Sequence, residues 1–186
     1  MSRARKDMNT NPDPDPDLAA ELRQGAGREW AEEAAEDERL TELLRRRKLE
    51  LADVMKDLAH LGGRVSVEFG GHSFSGTVMG AGADYATIDS PGQTAAIRFD
   101  VARWSIIAAS RTDESRVDRS ESFKALLHEY SAAETTLRLA IPCGEMVFGT
   151  IAVVSVDHIE VDDVDGRQIY IPSAMVLAVI RSTELH

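Results

Sequence analysis

Imidazoles, thiols, paired carboxylates and clustered cations are the side chains that do chemistry near neutral pH, and this sequence spaces few of them usefully. Its histidines, His60, His72, His128, His158 and His186, are scattered, and none stands at zinc-ligand spacing from another histidine or from the lone cysteine. That cysteine, Cys143, lies in a Pro-Cys-Gly turn, where an incidental role outweighs that of a thiol nucleophile. No nucleophile elbow, phosphate-binding loop or dinucleotide fingerprint occurs, and Gly80-Ala81-Gly82 lies between strand patterns with no helix to follow. Asp157, Glu160, Asp162, Asp163 and Asp165 crowd one strand and its turn without the spacing of a calcium loop, so they read as a solvated hairpin. We therefore expect no enzyme activity, no cofactor and no metal. The one basic run is Arg45-Arg46-Arg47-Lys48, whose cations could meet phosphate or could complement a helix C-terminus.

The elements that position these residues can be read from periodicity. Residues 1–28, with the alternating Pro-Asp run from Asn11, read as a disordered tail. Residues 29–48 read as a charged helical arm: Glu32, Glu33, Glu36, Asp37 and Glu38 come first, the basic run last, and Trp30, Leu40, Leu43 and Leu44 form a narrow apolar stripe. Leu51, Val54, Met55 and Leu58 then recur at helical spacing. In Arg64–Phe69, Val65, Val67 and Phe69 alternate with polar residues, the period of a half-buried strand. Four more strand patterns follow, separated by Gly70-Gly71, a glycine-containing loop, Ser90-Pro91-Gly92-Gln93 and a short turn at Asp100.

The same order returns further on. Leu137, Leu139 and Ile141 alternate as Val65, Val67 and Phe69 do, Gly149-Thr150-Ile151 repeats Gly76-Thr77-Val78, and Phe123, Leu126, Leu127 and Tyr130 repeat the preceding helix face. Four glycines read as structural: Gly71 and Gly166 in turns, Gly76 and Gly149 inside strands where a bend or close approach is needed.

A helix followed by strand, glycine turn, strand with a bending glycine, and a final strand pair resembles the Sm-like fold of the Sm and LSm proteins and the bacterial RNA chaperone Hfq. The resemblance covers roughly residues 49–108 and again 121–182. Ile97-Arg98, followed by Phe99-Asp100, is similar to the second Sm signature, with Phe99 where that signature has glycine. It implies a mainly β protein with helices: two tandem five-stranded Sm-like small barrels, each behind a helix. The domains expected are the tail (1–28), the charged helix (29–48), a first helix-plus-barrel (49–109), a linker (110–120) and a second helix-plus-barrel (121–182). The resemblance also implies exposed strand edges that pair with neighbours, and RNA held by an arginine at the position of Arg98.

Composition weighs between these implications. The chain of 186 residues carries a formal net charge of −11, with 28% charged and 5% aromatic residues. An acidic chain lacks the electrostatic term that dominates nucleic-acid affinity. No apolar run is long enough to span a bilayer, and the charged N-terminal residues do not read as a secretion signal. We therefore expect a cytoplasmic, non-catalytic regulator or adaptor that assembles with a protein partner or with itself through barrel strand edges, such as Met146–Val156 and Met175–Ile180. The alternative is an RNA-binding regulator using Arg98, Arg45, Arg46, Arg47 and Lys48.

Overall fold

The computed structural model describes residues 16–108 and 121–182, which divide after Lys48 into two units. The first unit contains one long helix, α1 (Pro16–Arg46). It starts within the stretch read from sequence as tail. Proline suits the first turn of a helix, and Leu18-Ala-Ala-Glu-Leu-Arg-Gln24 are strong helix formers that outweigh Gly25 and Gly27. The rest of that tail, 1–15, and most of the expected linker lie outside the described residues.

The second unit opens with α2 (Leu51–His60), whose first turn is closed by the Glu50 amide donating to the Asp53 carboxylate at 3.2 Å. Five strands follow: β1 (Arg64–Phe69), β2 (His72–Ala81), β3 (Tyr85–Ser90), β4 (Gln93–Arg98) and β5 (Ala102–Ala108). After α3 (Phe123–Ala132) come β6 (Thr136–Ala140), β7 (Met146–Val154), β8 (His158–Asp163), β9 (Gln168–Pro172), a 3-10 turn at Ser173–Met175 and β10 (Ala178–Ser182). All ten strands join one antiparallel sheet in the order β5-β1-β2-β3-β4-β10-β6-β7-β8-β9. The order of the first five strands is repeated by the last five. Even a register irregularity recurs, between Val78 and Gly80 in one half and between Ile151 and Val153 in the other.

This sheet is open, and that corrects the expected fold. Neither set of five strands closes on itself, so the described residues form no tandem Sm-like barrels; among them the fold is mixed, with one large open sheet and three helices. The pairing that would be needed for closure is engaged elsewhere: β4 lies against β10, with Ile97 opposite Ala178 and Ala95 opposite Ile180. The strands offered from sequence as docking edges are interior. β7 is paired on both sides by β6 and β8, and β10 by β4 and β6. Assembly through barrel edges is therefore withdrawn.

The β4–β10 seam lies between two cores. Ala95, Ile97, Ala178 and Ile180 pack with Met55 and Leu58 of α2 and with Val65, Val67 and Ile88. Ala96 and Val179, on the opposite side of the same strands, pack with Leu126, Leu127 and Tyr130 of α3 and with Leu137, Ile151 and Ile159. Strands covered on both sides read as continuous apolar runs, and Ala95-Ala96-Ile97 is such a run. Across the neighbouring turn, Arg138 of β6 donates to the Gln93 side chain at 2.6 Å.

α3 is held at its N-terminus by two side chains. Ser122 accepts from the Ala125 amide at 3.2 Å, and Asp84, from the turn before β3, accepts from the Phe123 amide at 2.7 Å. Each satisfies an amide that the helix itself leaves unpaired. Ser122→Ala and Asp84→Ala are each expected to lower stability by about 1 kcal/mol, and Asp84→Asn by less, as measured by urea unfolding of the full chain.

Candidate protein-contact surface

The sequence-derived site residues do not converge. Arg98 ends β4, and its guanidinium is engaged within the fold. One terminal nitrogen donates to the carbonyls of Ser173, Ala174 and Val176 at 3.3, 3.1 and 3.3 Å. Nε and the other terminal nitrogen clasp Asp100 at 3.0 and 2.5 Å. The side chain is 17% exposed. Arg98 is thus a latch between the two halves of the sheet, tying the end of β4 to the turn that precedes β10. With no barrel loops to frame a strand of RNA and with Arg98 so engaged, the Sm-type RNA reading is withdrawn as well.

The four glycines stand as follows. Gly71 (φ 91°) is in the β1–β2 turn and Gly166 (φ 77°) in the β8–β9 turn. Gly76 and Gly149 lie within β2 and β7, where a methyl would overlap the Asp89 and Asp162 carbonyl oxygens. The acidic hairpin is internally satisfied. Asp163 accepts from the Asp165 and Arg167 amides at 2.9 and 2.7 Å, and the Arg167 guanidinium pairs with both Asp163 and Asp165. His158 lies 2.7 Å from Asp157 and holds that carboxyl below its usual value. Among the described residues no three metal-ligating side chains converge, and no helix is long and apolar enough to cross a membrane. A groove of about 600 Å³ is lined by Glu68, Gly70, Gly71, His72, Val101 and Arg103, and its Arg103 donates to its Glu68 at 2.6 Å.

The remaining basic residues, Arg45 to Lys48, close α1. This helix carries the most unusual surface of the protein. Trp30 is 76% exposed, and Leu40, Leu43 and Leu44 are 51, 49 and 56% exposed, on a helix rich in charged residues. Sequence reading found this stripe, because the leucines recur at helical spacing. Glu42 and Arg46 also stand at i,i+4 in the sequence, the order that favours an ion pair, and the structure forms that pair. Glu42 receives Arg46 Nε at 2.8 Å and lies 3.7 Å from Arg45, so part of the basic run is engaged inside the helix. Glu33, Glu36, Asp37 and Glu38 on one side of the leucines, and Arg47 and Lys48 on the other, form no ion pair among the described residues.

The Arg46 hydrogen bond, with the nearby positive charges, holds the Glu42 carboxyl below its ordinary 4.5. A carboxyl lowered in the folded helix stabilises it above the unfolded value, and that contribution vanishes as pH falls through the lowered one. Titrating the full chain from about pH 6 to pH 3 should therefore remove helicity, and Glu42→Gln should lose less over that range, as read by far-ultraviolet circular dichroism.

No protein-family model and no curated protein matches this chain.

Proposed function

We propose that this chain is a non-catalytic protein-contact module whose docking element is α1. One observation carries the reading: an aromatic and three leucines stand exposed on one charged helix. Covering a half-exposed leucine is worth on the order of 1 kcal/mol, so a partner that buries the stripe gains appreciably. Amphipathic helices are a recurrent mode of protein recognition, with anchors at i, i+3, i+4 and similar spacings. Leu40, Leu43 and Leu44 have that spacing. The exposed, unpaired Cys143 suits a reducing compartment, and we place this role in the cytoplasm.

The test is a photo-crosslinking residue at Leu43 of the full chain, activated in the cells that make it. The expected result is a discrete protein adduct that disappears when Leu40 and Leu44 are both changed to Asp. An adduct indifferent to those changes, or none at all, overturns the reading. Adducts to RNA alone would do the same.

A further inference from the structure

We propose that the protein docked on α1 is a second copy of this chain, with the two helices packed antiparallel about an axis near Glu42. The inference rests on α1 being the docking element and goes on to name its occupant. Trp30, Glu33, Asp37, Leu40 and Leu44 follow one another at spacings of three and four, the stripe along which two helices pack side by side, and Arg47 stands one more spacing on, just past the helix end. Within that stripe the order is acidic, acidic, leucine, leucine, basic after the tryptophan. A two-fold axis near Glu42 sets Leu40 against Leu44 of the other copy and Asp37 against its Arg47, twice over. The same axis sets Glu36 opposite Lys48 and Glu38 opposite Arg46. Leucine pairing and these charge pairings thus fall in one register; the same axis sets Arg39 opposite Arg45 and Glu42 opposite Glu42, where Arg45 and Glu42 are already paired with each other within each chain. A parallel pair in register would set Asp37 against Asp37 and Arg47 against Arg47, which is repulsive.

The intrachain ion pairs support this choice. Where charges have partners inside the chain, they take them, as at Arg103–Glu68 and Arg167–Asp163. The acidic residues Glu36, Asp37 and Glu38 lie on α1, the basic residues Arg47 and Lys48 in the turn just past its end, too far along the chain to reach them, and they form no ion pair among the described residues. An antiparallel second copy supplies each with an opposite charge.

The experiment is sedimentation equilibrium of the full chain at low salt over a wide concentration range. A monomer–dimer equilibrium that weakens as salt rises is expected. Glu36→Lys, Asp37→Lys and Glu38→Lys together should weaken it by about tenfold or more, as should Arg46→Glu, Arg47→Glu and Lys48→Glu together. Mixing the two triple variants should restore association, which rules out misfolding as the cause of the loss. Orientation is read from single cysteines in a Cys143→Ser background. Asp37→Cys chains should form disulfides with Arg47→Cys chains faster than with one another. Faster Asp37–Asp37 crosslinking would overturn the antiparallel arrangement. A chain that stays monomeric at every concentration would overturn the second copy as occupant. If α1 photo-adducts to another protein persist in that case, the docking reading stands; if they too are absent, both fall.

Discussion

One methyl added at Gly76 will destabilise the sheet more than most single changes on its surface. An alanine Cβ there would overlap the Asp89 carbonyl oxygen of β3 and lie 2.8 Å from Ile88 Cγ2. Neither neighbour can yield cheaply. The carbonyl is backbone inside a paired ladder, and Ile88 is fully buried in the core beneath α2. Gly149 faces the same obstruction from the Asp162 carbonyl, with Val161 Cγ1 at 2.9 Å. We expect Gly76→Ala and Gly149→Ala each to cost about 3 kcal/mol and to lower the melting temperature by roughly 10 °C. Gly92→Ala is the useful contrast. It has φ 78° but nothing within 4 Å of an added methyl, so its cost comes from the left-handed backbone alone, about 1 kcal/mol. Thermal unfolding of the full chain followed by near-ultraviolet circular dichroism measures all three. A Gly76→Ala protein that melts with the parent would show that β2 and β3 separate easily at this point.

Arg98 carries the second large effect. Its removal strips a donor from the carbonyls of Ser173, Ala174 and Val176 and leaves Asp100 without its cation. Part-buried acceptors that lose a charged donor are costly, and Arg98→Ala should reduce stability by roughly 2–4 kcal/mol. Arg98→Lys should recover little, because one ammonium cannot span three carbonyls and a carboxylate as a planar guanidinium does. Neutralising Arg45 and Arg46, whose only described ion pairs are with Glu42 on the same helix, should shift the unfolding midpoint of the sheet by no more than about 0.5 kcal/mol. Urea unfolding of the full chain separates these outcomes. An Arg98→Ala protein as stable as the parent would return this residue to the surface, free to contact a ligand.

These two residues also show which parts of the molecule could be read in advance. Gly76 and Gly149 stood out as isolated glycines in strand patterns, and close backbone approach is what the structure shows at both. The buried positions of β1 and of α3 were likewise legible, because alternation and helical spacing are local properties. The repeat followed from them. What could not be read was the destination of each half. Arg98 looked like a ligand contact because the carbonyls that receive it lie 75 to 78 residues further along the chain. Ala95-Ala96-Ile97 looked like one more barrel strand. Its lack of alternation was a signal of cover on both sides, but no local rule says that the second cover comes from α3 and β10 rather than from closure of the same five strands. The start of α1 was misplaced because the Pro-Asp run up to Asp17 overshadowed the helix formers after it. The charge order of α1 was visible, and so was the i,i+4 pair of Glu42 with Arg46; the second contact on Glu42, from Arg45, came only from the geometry.

The seam between β4 and β10 has a consequence for how the chain is made. The ribosome delivers β4 long before β10, so the nascent first half emerges with the hydrogen-bonding groups of β4 bare and with Ala96 lacking its apolar cover. β10, made later, contributes to both cores, Ala178 and Ile180 to one and Val179 to the other. The β4–β10 ladder is a pairing between distant segments, the kind of contact that slows folding. During translation the vulnerable surface is the middle of the finished sheet, and chaperones that shield nascent chains would have to cover that surface until β10 arrives.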